Sequence, residues 1–87
     1  MRNYEKVVFI LRTLAAVINS EPLMILASDI ASGQNQEWYR AGGAINDAIG
    51  LHANRSGKYR KSDEVKARRA MTEAAERVGF EISLLQG

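Results

Sequence analysis

Arg55, Lys58, Arg60 and Lys61 fall within one short stretch that contains no acidic residue, and Tyr59 stands among them. Cations so placed can meet phosphate oxygens while the tyrosine ring stacks on a base. The stretch therefore predicts contact with nucleic acid or another phosphate-bearing ligand. Carried on to Arg69, the segment 55–69 holds seven basic residues against Asp63 and Glu64. The whole chain has 12 basic and 10 acidic residues, a formal net charge of only +2, so the positive field is local. The residues expected to touch the ligand are Arg55, Lys58, Tyr59, Arg60, Lys61 and Arg69, with Ser56 and Gly57 giving the loop freedom to adapt. Phosphate contacts of this kind position a partner without reading its sequence. A solvated loop, with Arg68 and Arg69 paired along their helix, is the plainer reading of the same residues.

Catalytic chemistry is poorly supplied. The single histidine, His52, lies on an apolar helical stripe, and Asp47 lies on the other side of that helix, where it cannot orient the ring. The absence of cysteine removes a thiolate nucleophile, disulfides and thiolate metal sites together. Asp29, Glu37 and Asp47 are scattered, and no ligand pair has metal spacing. Gly42 and Gly43 fall inside a helical pattern, and neither Lys58 nor Lys61 follows a strand and loop, so no phosphate-cradling glycine loop is present. The expectation is a non-enzymatic protein with no catalytic residues, no metal and no cofactor.

The elements that must carry these residues read as one all-α domain over 1–87, a compact bundle of about four helices. Its organising stretch is Asn35 to Ala53, capped by Asn35, with Trp38, Ala41, Ile45, Ala48, Ile49 and His52 on one stripe. This helix is expected to pack between the first and the fourth. Gly42 and Gly43 within it cost about 1 kcal/mol each relative to alanine. A neighbouring helix or a ligand close to the bare backbone, a kink, or a weakened exposed face would account for them.

A first helix runs from about Tyr4 to Ile18, capped by Asn3, with Val7, Leu11, Leu14, Val17 and Ile18 along one side. A strand is the alternative for its β-branched start, but the pattern continues unbroken to Ile18. Asn19 and Ser20 stop this helix and cap a second, which has Glu21 and Pro22 in its first turn and ends at Gly33. After the basic loop, Ser62 caps a fourth helix in which Val65, Met71, Ala74, Ala75 and Val78 face inward, and Gly79 ends it. Glu64 with Arg68, Arg69 with Glu73, and Glu73 with Arg77 have ion-pair spacing. Phe80 to Leu84 alternates with period two, so the C-terminal tail is expected to be short and extended.

The first helix is apolar around most of its circumference, since Val8, Phe9 and Ile10 widen its stripe. Too greasy for a small domain to cover, it predicts a homodimer formed through those three residues. Arg2 and Lys6 precede an apolar run that Arg12 cuts, and the segment to Ile18 is too short to cross a bilayer. No membrane is expected as a partner, and the cytoplasm is the expected location. The Asn54, Arg55, Ser56 sequon is then without consequence.

Residues 41–60 test a helix-turn-helix. Ile45, Ile49, Gly50 and Leu51 fit its first helix and turn, but Ser56 and Gly57 fall where a packed second helix is needed. Ser62 to Phe80, with Ala74, Ala75, Glu76 and Gly79, resembles the helix that follows the DNA-reading motif in lactose-repressor-type regulators. Asn35, Gln36, Trp38 and Gly42, with Ile45 to Ile49, resemble the second helix of small phage hairpin proteins that sequester cyclic nucleotide signals. That resemblance covers only this segment, and implies a nucleotide ligand held by the glycine face and the basic residues. Three functions follow in order. The first is a small regulatory binding protein of phage or plasmid type that contacts nucleic acid. The second is an inhibitor or adaptor that binds a host protein through an apolar or glycine face, and the third is an oligomeric nucleotide sponge.

Overall fold

The computed structural model describes residues 1–86. It contains four α-helices, α1 (Asn3–Ile18), α2 (Glu21–Ala31), α3 (Ala41–Ala53) and α4 (Lys61–Arg77). Single turns of 3₁₀ helix occupy Trp38–Arg40 and Ile82–Leu84, and no strand occurs among the described residues. The all-α reading stands.

The hub of the bundle is α1, which packs chiefly on α2 and α4, while α3 packs mainly on α4. This corrects the expectation that α3 lies at the centre. It also explains why α1 is apolar nearly all round, since two helices cover different sides of it. Val7, Ile10, Leu11, Leu14 and Ile18 form the middle of the core together with Leu23, Ile45 and Ile49. Val8 is 6% exposed and Ile10 is 0% exposed, so both are covered by their own chain and offer nothing to a second copy. Phe9 is half-buried.

Asn3 is the first residue of α1 rather than its cap. Arg2 takes the cap position, and its backbone N–H donates to Glu5 Oε1 at 2.8 Å. Asn19 ends α1 in the left-handed conformation, at φ 53°, which asparagine tolerates better than most residues. Ser20 then caps α2, its Oγ accepting from the Leu23 N–H at 3.3 Å.

The α3 helix starts at Ala41, not Asn35. Asn35 Oδ1 instead accepts from the Glu37 N–H at 2.9 Å, which makes a local turn that competes with helix. The Trp38 ring then lies edge-on to Phe80, with centroids 6.2 Å apart. Long-range aromatic packing thus draws Trp38 off the helical stripe.

The chain after α4 closes over this junction. Gly79, at φ 66°, donates to the Glu76 carbonyl and Phe80 to the Ala75 carbonyl, the paired bonds of a Schellman stop. The tail then makes a 3₁₀ turn rather than an extended segment, since with no partner strand its amides bond locally, Leu84 to Glu81 and Leu85 to Ile82. Gln86 N–H donates to the Tyr39 carbonyl at 2.6 Å. A Cβ on Gly42 would stand 3.3 Å from the Leu85 carbonyl oxygen. The bare backbone at Gly42 therefore faces the tail of its own chain, which fills the space beside it. No described helix is long and apolar enough to cross a membrane.

Candidate functional site

Residues 54–60 join α3 to α4 as a closed turn, not a free arm. Arg60 N–H donates to the Ala53 carbonyl at 2.9 Å across the base of the loop, and Gly57, at φ 80°, donates to the Asn54 carbonyl at 2.9 Å. The side chain of Arg55 crosses to the far end of α1, where its Nη2 donates to the Ile18 carbonyl at 2.9 Å, 37 positions away in sequence. That carbonyl belongs to the last turn of α1, where helical oxygens lack intrahelical partners and a cation is favoured. Arg55 is thus a brace as well as a surface charge.

Around this brace the other basic residues point outward. Lys58, Tyr59 and Arg60 are exposed, with half of the Tyr59 surface open. Among the described residues, Lys58, Arg60, Lys66 and Arg69 lie within ion-pair distance of no carboxylate. Lys66 and Arg69 are three positions apart on α4 and share a stripe. Lys61 is less free, with Nζ 3.2 Å from Glu64 Oε1, and Arg68 Nε is 3.6 Å from the same oxygen. Arg68 also donates through Nη1 to Asn46 Oδ1 at 3.2 Å, tying α4 to α3. The expected Glu64–Arg68 pair is present. The Arg69–Glu73 and Glu73–Arg77 pairs are not formed among the described residues.

Two concavities flank the loop. A cavity of about 230 Å³ at its foot is lined by His52, Ala53, Arg55, Ser56, Arg60 and Asp63. A groove of about 450 Å³ lies on the other side, walled by the α1–α2 junction and by Ala44, Ala48, Leu51 and His52 of α3. His52 contributes to both walls. Its Nδ1 is buried and makes no hydrogen bond among the described residues. No group of three metal-ligating side chains occurs among the described residues.

Sequence reasoning located the exposed cations but missed Ser56, His52 and Asp63 as parts of one cavity wall. Asp63 carried a signal, since it is the first acidic residue after the basic run. The Ile18 carbonyl carried none, because backbone atoms bear no sequence label. Val65, expected to face inward, is 41% exposed. Large exposed apolar side chains stand elsewhere, at Val17, Met24, Ile25 and Leu51. The chain matches no protein-family model, and comparison with curated proteins and with solved structures likewise gives no match.

Proposed function

We propose that this protein is a non-enzymatic regulatory binding protein of the cytoplasm that holds nucleic acid on the loop 54–60 and the outer face of α4. The observation that carries this reading is the set of four exposed cations, Lys58 and Arg60 flanking a half-exposed Tyr59 in the loop and Lys66 and Arg69 on α4, which stand without acidic partners among the described residues. A merely solvated loop needs no closure or brace. This one is shut at its base and pinned through Arg55, so less order has to be gained on binding. The tyrosine adds stacking worth roughly 1–3 kcal/mol per base.

Fluorescence anisotropy with labelled single-stranded and duplex oligonucleotides tests the proposal. With about four phosphate contacts, log affinity should fall with log salt at a slope of about −3. Absence of binding at low salt, or a slope near zero, would refute it.

Self-association is a separate reading, and Val17, Met24 and Ile25 favour it, each being more than half exposed on α1 or α2. The pairing surface proposed here is that of a second copy meeting α1 and α2 through these residues, as in the commonest symmetric assemblies. Light scattering of the wild type and of Met24→Glu distinguishes dimer from monomer. Monomeric wild type at high micromolar concentration removes this reading.

A further inference from the structure

We infer that the cavity at the foot of the loop is a seat for one phosphodiester group, the singly charged internal phosphate of a nucleic-acid strand. The inference rests on the nucleic-acid reading for its ligand class and adds a chemical preference to it.

Size is the first argument. At about 230 Å³ the cavity falls below the roughly 300 Å³ at which sites for whole small molecules begin, so it suits a group rather than a nucleotide. Donors are the second. Arg55 spends one N–H on the Ile18 carbonyl, which fixes the guanidinium and leaves its remaining donors uncommitted among the described residues. Arg60 has no ion-pair partner among the described residues, and Ser56 brings a hydroxyl to the same wall.

The third argument is the start of α4. No side chain caps it, in contrast to α2, which Ser20 caps. The carbonyl of Arg60 accepts from the Asp63 and Glu64 N–H groups, and the amides of Lys61 and Ser62 precede the first intrahelical bonds. The positive end of a 17-residue helix thus adjoins a wall that already carries two arginines.

Charge then sets the preference. Asp63 is the acidic member of the wall, so the cavity presents two positive charges and one negative. A monoanionic diester matches that balance. The attraction of such a wall grows in proportion to the ligand's charge, whereas the cost of taking the ligand out of water grows with its square, so a dianionic terminal phosphate gains less than it loses. Tyr59, next to Arg60 in the chain and half exposed, supplies a stacking surface that selects a nucleic-acid strand over other diesters.

The test is a titration of ¹⁵N-labelled protein with two probes, followed by amide chemical shifts. Thymidylyl-thymidine carries one diester and no terminal phosphate, and thymidine 5′-monophosphate carries the reverse. The diester should move the amides of Ser56 and of Arg60 to Asp63 and should bind more tightly than the monoester. Arg60→Ala should weaken it about tenfold, as expected for one charge-assisted contact. Asp63→Asn should raise monoester affinity more than diester affinity and so shrink or reverse the preference. Because Asp63 also lies in the first turn of α4, circular dichroism and thermal melting of the Asp63→Asn variant check that the fold is kept.

Monoester preferred by wild type, or a preference that Asp63→Asn leaves unchanged, overturns the inference. Salt-dependent oligonucleotide binding in which Arg60→Ala costs no more than Lys58→Ala also overturns it, while sparing the surface reading. Diester shifts at these amides without oligonucleotide binding would overturn the surface reading alone.

Discussion

Two helix junctions of this protein lie close enough to share a hydrogen bond, yet they are built on opposite plans. Between α1 and α2 the chain is joined by local bonds: Asn19 turns the chain, and the mostly buried Ser20 caps the next helix. Between α3 and α4 the turn closes through the backbone, no side chain caps the following helix, and the charges face outward. Arg55, reaching from the second junction to the Ile18 carbonyl of the first, joins them. The first junction is held by its own side-chain cap and by an arginine of the second. The second keeps donors in reserve, which is what a binding surface requires.

That contrast can be broken at either end. Lys58→Glu with Arg60→Glu should weaken oligonucleotide binding about a hundredfold at low salt, two charge-assisted contacts being worth roughly 1.5 kcal/mol each. The melting temperature should barely change, since neither side chain has an ion-pair partner among the described residues. Arg55→Met should act on both junctions, lowering unfolding free energy by about 1.5 kcal/mol in urea and weakening binding as the loop loses its brace. Ser20→Ala should cost about 1 kcal/mol in stability and leave affinity unchanged, which separates the two plans most cleanly. Gly79→Ala, which forces a side chain into left-handed backbone, should cost about 1 kcal/mol in the same assay. The smallest effect is expected from Lys61→Ala, whose exposed pair with Glu64 is worth at most about 1 kcal/mol. It should lower affinity less than Lys58→Ala does.

How legible all this was depended on how local the cause was. The α1, α2 and α4 helices, the Ser20 cap and the stops at Gly33 and Gly79 follow from side-chain pattern and backbone preference within a few residues, and they were readable. The start of α3 was not, because Trp38 leaves its stripe to meet Phe80, a partner from the other end of the sequence. The hub was misplaced for a related reason. An unusually apolar α1 admits two explanations, cover by a second copy or cover by its own chain, and composition does not choose between them. Val8 and Ile10 take the second. At the candidate site the run of cations was visible as residue types, whereas the pairing of Lys61 and the anchoring of Arg55 depend on where α1 and α4 come to rest.

The tail over Gly42 has a kinetic consequence. Because the Tyr39 carbonyl and the Gly42 backbone are met by Leu85 and Gln86, the entry to α3 cannot reach its final form until the last part of the sequence has arrived. The α1–α2 hairpin needs only neighbours in sequence and can form early, whereas this closure is a long-range contact whose loop entropy must be met first. Substitutions at Gly42 should therefore speed unfolding while leaving the folding rate nearly unchanged, the signature of an interaction made after the barrier.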